Sequence, residues 1–313
     1  MKTPIEKYIE KEKVIEINSY LENITIEELL KDLPKKNWCQ FRVSLTQLCN
    51  ESCFFCHNEW NPKKKVEFDD SIFKKSIDIM EKYWIEQKIR FTWWEPTLYD
   101  WLVDLIKYTK DKLPESSVWM TTNWLLLEEQ AKSLIEAWLD KITISLHSLD
   151  EEWYKNITKV DWLEKVLKWL EKLKELNFKW DISINAVIWT YNINEVSNLD
   201  IFCTTNWYKL KLLDILPIED NLKQYVLSQR EIEEITKVNN VKWERTQGKC
   251  LTCSKKGICW TEAEYLRMSP DWILNPCLKL KEFDIDLKKI ELNSDNFEKW
   301  FFLALRRIKS LSL

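Results

Sequence analysis

A chain of 313 residues with only two glycines, Gly248 and Gly257, has almost no residue free to take a left-handed backbone. Glycine normally makes up about 7% of a protein, so roughly 22 would be expected at this length. The chain has 19 tryptophans instead, and their places matter more than their number. Trp84, Trp138 and Trp207 each stand just past a helix-like stretch and just before a strand-like run. A left-handed residue usually closes a helix there, and glycine usually supplies it because it has no Cβ to clash. Trp272 follows Asp271 between two strand-like runs, where Asp-Gly would make the tight turn. We read most of these letters as glycines. UGA encodes tryptophan in some genetic codes and glycine in others, and translation under the wrong one writes this pattern.

With those turns granted, the chain alternates regularly. Strand-like runs occupy 41–46, 88–92, 117–122, 141–146, 181–188 and 208–215. Helix-like stretches separate them at about 69–83, 99–112, 127–137, 161–176 and 193–205. In the fourth of these, Leu163, Val166, Leu167 and Leu170 recur on one helical face. Strand and helix in alternation predict parallel βαβ units and an α/β fold. Six strands are too few to close an eight-stranded barrel. The prediction is a partial (β/α)6 barrel of TIM type, with active residues in the loops after the strands. Three regions follow from this: a charged helical extension over 1–38, the barrel over 39–230, and a cysteine-rich strand–turn–strand segment over 231–313.

A net charge of −4, with 31% charged residues of both signs, gives no nucleic-acid-binding surface. No apolar run approaches the 18 or so residues of a membrane span, and residues 1–12 are charged rather than signal-like. These features predict a cytoplasmic protein with no membrane partner. In a reducing compartment, nine cysteines in clustered spacings point to metal ligation rather than disulfides.

Cys49, Cys53 and Cys56 sit immediately after the first strand. Three thiolates packed this tightly can bind three corners of a 4Fe–4S cube and leave the fourth iron without a protein ligand. A structural zinc site would need four closed ligands. His57 adjoins Cys56, but two adjacent residues rarely converge on one ion. Three incidental buried cysteines are the bland alternative, and the spacing argues against it.

Together these motifs resemble the radical SAM superfamily. The resemblance rests on Arg42-Val43-Ser44-Leu45-Thr46, then Cys49, Cys53, Phe55 and Cys56, then Trp93-Trp94-Glu95-Pro96. The last stretch stands where that superfamily has Gly-Gly-Glu-Pro. The resemblance implies that the open iron chelates S-adenosylmethionine, and that an electron from the cluster splits it to a 5′-deoxyadenosyl radical. Glycine is needed at the motif because the backbone must approach the cofactor closely. Glu95 then holds either the turn or the cofactor's amino group.

Within that superfamily the chain is most similar to the GTP 3′,8-cyclases of molybdenum-cofactor synthesis, collinearly over about 40–280. Thr121-Thr122-Asn123-Trp124, Ala137-Trp138-Leu139-Asp140, Ser145-Leu146-His147-Ser148-Leu149-Asp150, Ile184-Asn185-Ala186-Val187 and the run from Tyr265 to Leu278 carry the similarity. Trp60, Trp124, Trp138, Trp207 and Trp272 fall where that family has glycine. The resemblance places Trp93, Trp94, Glu95, Thr122, Asn123, Ser145, Arg90 and His57 around the cofactor. It places Arg42, Lys88, Lys211 and Arg267 against a small substrate, GTP. A polyphosphate needs several cations, so the convergent set weighs more than any one of them. An electron donor is implied as partner.

Cys250, Cys253, Cys259 and Cys277 resemble that family's second cluster site, with one cysteine more than its three. Four thiolates would close a second 4Fe–4S cluster, and zinc competes for such a site. The family's Arg-x-Arg pair is here Tyr265-x-Arg267, and its Gly-Gly tail has no counterpart in Ser310-Leu311-Ser312-Leu313. Two other readings therefore stay open. One is a peptide- or protein-modifying radical SAM enzyme with a four-cysteine auxiliary cluster. The other, should Trp93 and Trp94 be genuine, is a non-catalytic iron–sulfur or zinc protein. Cys39 and Cys203 stand alone and are expected to be buried. His147, after the fourth strand, is expected to line the cofactor site rather than act as a base.

Overall fold

The computed structural model describes residues 21, 23–31, 33, 36–56, 68–175, 181–215, 220–239, 241, 265–275, 284–290 and 295–312. Among the described residues nine strands form one sheet: β1 (Lys36–Val43), β2 (Glu86–Phe91), β3 (Val118–Thr122), β4 (Lys141–Ser145), β5 (Asp181–Ile188), β6 (Lys209–Asp214), β7 (Tyr265–Met268), β8 (Ile273–Asn275) and β9 (Ile285–Asp286). Their order is β6-β5-β4-β3-β2-β1-β7-β8-β9. The first seven run parallel, and β8 and β9 turn back antiparallel. This is the open partial barrel that the alternation predicts, carried past β1 by β7. The described helices are α1 (Ile26–Leu30), α2 (Asp70–Lys82), α3 (Leu102–Lys112), α4 (Leu127–Glu136), α5 (Glu151–Thr158), α6 (Leu163–Glu175), α7 (Glu195–Thr205), α8 (Gln229–Asn239) and α9 (Asp295–Ser312).

Side chains alternate across each strand, so one sheet face can be apolar and the other polar. Phe41, Val43, Ile89, Phe91, Val118, Met120, Ile142, Ile144, Leu266 and Met268 all join the main core with the helices. The helix α9 closes that core over β1 and α2. Phe301 meets Phe41 edge-on at 6.0 Å, and Phe302 meets Tyr83 at 5.0 Å.

At seven of the described tryptophans the backbone is left-handed. Among the described residues eight non-glycine residues have positive φ, and seven of them are tryptophan: Trp84 (56°), Trp93 (63°), Trp94 (50°), Trp124 (74°), Trp138 (62°), Trp207 (62°) and Trp272 (68°). Trp84 ends α2 by donating its N–H to Glu81 O at 3.0 Å, while Ile85 donates to Met80 O at 2.8 Å. The same two bonds close α4 through Trp138 and Leu139, and α7 through Trp207 and Tyr208. This is the closing motif in which glycine ordinarily takes the left-handed place. The three indoles are 79%, 75% and 93% exposed, so burial returns little to offset the strain. Trp124 and Trp272 are turned inward, and their buried indole N–H groups find no acceptor among the described residues.

A left-handed non-glycine residue costs about 1–2 kcal/mol, so seven would cost about 7–14 kcal/mol. That matches the whole net stability of a typical domain, about 5–15 kcal/mol. Changing Trp84, Trp138 or Trp207 singly to glycine is therefore expected to raise the unfolding free energy by about 1 kcal/mol. Urea titration checks this, and an unchanged or lower midpoint in all three would refute the strain.

Candidate active site

The sheet face opposite the core is polar and cationic. By alternation it carries Arg42, Lys88, Arg90, Lys141, Lys209, Lys211 and Arg267 against Glu86 and Asp181. Asp181 is taken by Lys141 at 2.7 Å and Lys209 at 2.9 Å. Arg42, Lys88, Arg90, Lys211 and Arg267, the five singled out from the sequence, stand on this same face. Arg90, Arg42 and Arg267 occupy one register row across β2, β1 and β7. Lys211, Asn185 and Ser145 occupy another across β6, β5 and β4. Arg90 Nε donates to Thr121 Oγ1 at 2.9 Å, and Arg42 Nε to Gln40 Oε1 at 2.6 Å. Ser183 Oγ and Asn185 Oδ1, on the same face, are buried without a partner among the described residues. Buried polar atoms are nearly always satisfied, so such a pair marks where a polar ligand or water is accommodated.

The loop after β1 brings Cys49, Cys53 and Cys56 to the carboxyl end of the sheet. None is in a disulfide. Its shape is set by α5, whose last carbonyls would otherwise lack donors. Ser52 N–H donates to Thr158 O at 2.8 Å, and Phe54 N–H to Ile157 O at 3.2 Å. Phe54 and Phe55 pack against a small core of Ile157, Val187, Trp189, Ile215 and Leu222. His147 meets Phe55 edge-on at 4.9 Å and accepts the Val187 N–H on Nδ1 at 3.1 Å. Burial pushes its pKa down to about 4, so it packs as a neutral ring.

Glu51 lies between the thiols and α5. Its carboxylate accepts from Tyr154 Oη at 2.9 Å and from Cys53 Sγ at 3.4 Å. Burial pushes the Cys49 thiol up to about 12 and, with the Glu51 carboxylate beside it, the Cys53 thiol well above its ordinary range. Iron binding must therefore displace protons from this loop. Among the described residues no three acidic, histidine or cysteine side chains are arranged to hold one metal ion. Three thiols spread along one loop instead suit separate corners of a cluster, so the donor set fits a 4Fe–4S group.

After β2 the chain makes a strap over the same end of the sheet. Glu95, wholly buried, accepts from Thr97 N at 3.1 Å, Thr97 Oγ1 at 2.6 Å, Thr122 Oγ1 at 2.7 Å and Asn123 N at 2.7 Å. Burial lifts its carboxyl above the usual range even against those donors. Both oxygens are engaged by the protein, so Glu95 holds the turn. Asn123 links strap to thiol loop, donating through Nδ2 to Asn50 Oδ1 and reaching Cys49 Sγ at 3.9 Å. Glu95 N–H adds a bond to Leu48 O at 3.0 Å. Between these segments stand Trp93 and Trp94, with the Trp93 ring 6.0 Å from the Arg267 guanidinium. As spelled, the Trp93 indole, some 150–250 Å² of surface, stands beside the Arg267 guanidinium.

The structure thus gathers Cys49, Cys53, Cys56, Trp93, Trp94, Glu95, Thr122 and Asn123 around one end of the sheet, with Ser145 and the five cations on its polar face. His57, Trp60, Cys250, Cys253, Cys259 and Cys277 lie outside the described residues. Sequence reasoning did not single out Gln40, Asn50, Glu51, Tyr154, Ser183 and Asn185 as site residues. Carrying the strand alternation through 181–188 would have put Ser183 and Asn185 on the polar face.

A model of the radical SAM superfamily matches residues 43–199. A GTP 3′,8-cyclase of Clostridium perfringens is 30% identical over 288 residues, covering 83% of this chain and 86% of the relative. A probable GTP 3′,8-cyclase of Methanococcus aeolicus is 28% identical, covering 89% and 98%. Among solved structures, Streptococcus suis SuiB bound to S-adenosylmethionine superposes with a TM-score of 0.63 at 15% identity, covering 87% of this chain and 68% of that one. Native anSMEcpe with bound AdoMet gives 0.59 at 17% identity, covering 76% and 74%.

Proposed function

The chain belongs to the radical SAM superfamily, and on that premise we propose that it is a GTP 3′,8-cyclase-like enzyme whose natural residues at 93 and 94 are glycine. The observation that carries this reading is the polar sheet face, where five cations lie beside a three-thiol loop. A bound 4Fe–4S cluster would supply the electron that splits the sulfonium of S-adenosylmethionine. Cys49, Cys53 and Cys56 would hold it, and Asn123 would direct an N–H at the Cys49 sulfur. The strap backbone at 93–94 would face the cofactor, fixed from behind by Glu95. Ser145 and Asn185 offer a polar edge for its ribose side. Arg42, Arg90, Arg267, Lys88 and Lys211 would bind a triphosphate, whose several negative charges call for several cations. Cys250, Cys253, Cys259 and Cys277 would hold a second metal group, a 4Fe–4S cluster or zinc.

Anaerobic reconstitution with iron and sulfide tests this. Two clusters require about eight irons per chain, and zinc at the second site about four. S-adenosylmethionine cleavage should be stimulated by GTP. Replacing Cys53→Ser should remove about four irons and all cleavage. About eight irons with no GTP-dependent turnover would sink the cyclase reading and favour a peptide substrate, in keeping with the four-cysteine second group.

A further inference from the structure

We propose that Tyr265 is a positioning residue that holds Arg42 and Arg267 as a preformed pair for a polyphosphate; this rests on the anionic-substrate reading above. Arg42 and Arg267 are direct partners on β1 and β7, so their backbones lie one strand spacing apart. Two guanidiniums that close repel each other before any anion arrives. Tyr265, two residues before Arg267 on the same strand face, stands against both. The Arg42 guanidinium lies 3.3 Å over its ring centroid, and that of Arg267 lies 5.4 Å away. The negative face of an aromatic ring attracts a cation, so one ring offsets part of the repulsion. Geometry is fixed as well. Arg42 is held between the ring and Gln40 Oε1, and Arg267 Nη1 donates to Tyr265 O at 3.3 Å.

A third cation at 265 would add charge but also repulsion. A ring instead orders the two cations already there, and groups ordered before binding give up less entropy when the ligand arrives. The ring face is what matters in this arrangement, not the hydroxyl.

Calorimetry of the reconstituted protein with inorganic triphosphate, at fixed salt, tests the assignment. Tyr265→Leu should raise Kd about tenfold, equivalent to about 1.4 kcal/mol. Tyr265→Phe should stay within about twofold of the parent. Combining Tyr265→Leu with Arg42→Gln should weaken binding by less than the product of the two single losses, because the ring acts through Arg42. With GTP, the leucine variant should lose through KM more than through kcat. Three results would each overturn the assignment: phenylalanine failing as badly as leucine, strictly multiplicative losses, or a parent that does not bind triphosphate. If triphosphate behaves as stated while GTP is never turned over, the cyclase reading falls and the role of Tyr265 stands.

Discussion

Protein made with Trp93→Gly and Trp94→Gly will cleave S-adenosylmethionine at least about a thousandfold faster than protein made as spelled, a difference of roughly 4 kcal/mol in barrier. The reason is steric before it is chemical. Both residues are left-handed, both belong to the strap that Glu95 N–H ties to Leu48 O of the thiol loop, and one ring already reaches Arg267. Removing the indoles changes no backbone angle that glycine would resist. The comparison needs only two preparations with equal iron content, assayed for 5′-deoxyadenosine under dithionite. Equal rates would refute the steric block. A complementary measurement uses protein from the native host. The peptide spanning 91–100 should have the mass expected with glycine at 93 and 94, and finding two tryptophans there would refute the reassignment outright.

Glu95→Ala should be the most damaging single change to the fold around the site. Its carboxylate serves four donors, two of them backbone amides that cannot turn away. Orphaning buried donors costs about 1–3 kcal/mol each, so a loss of about 3–5 kcal/mol is expected. Iron retention should fall with it, because Asn123 and Leu48 connect the same turn to the thiol loop. Glu95→Gln should fall between parent and alanine, since its amide places a donor against donors. Denaturant titration of the metal-free chain isolates the structural part. A Glu95→Ala midpoint equal to the parent's would mean that the clamp carries no weight.

Where the sequence was most readable, periodicity and burial agreed. The run 181–188 coincides with β5, and α2, α4 and α6 each fall within two residues of their expected ends. Local pattern gives such elements because one buried face sets the period. The short helix α5 was passed over, since its apolar positions, Tyr154 and Ile157, are too few to show a period. Yet α5 sets the thiol loop, through carbonyls that no sequence pattern advertises. β7 was foreseen as part of a strand–turn–strand segment, but not as the parallel neighbour of β1. Pairing across such a separation is a tertiary fact with no local signature. The same holds for Gln40, Asn50 and Glu51, polar residues whose roles come from what faces them. The tryptophans behaved differently: backbone need alone marked Trp84, Trp138, Trp207 and Trp272, and their φ values are all positive.

The place of β7 has a consequence for how this protein is made. β1 leaves the ribosome early, pairs with β2, and then waits for a strand that begins at Tyr265. Until that strand is synthesised, β1 is an unpaired edge open to neighbouring chains. The row of Arg90, Arg42 and Arg267 is also incomplete until then. A nascent or prematurely terminated chain can thus own all three thiols of the loop and still lack one of the three arginines of that row. If the polar face binds a polyphosphate as proposed, vectorial synthesis makes anion capture one of the last properties the polypeptide acquires, and ties it to closure of the edge through which it would otherwise aggregate.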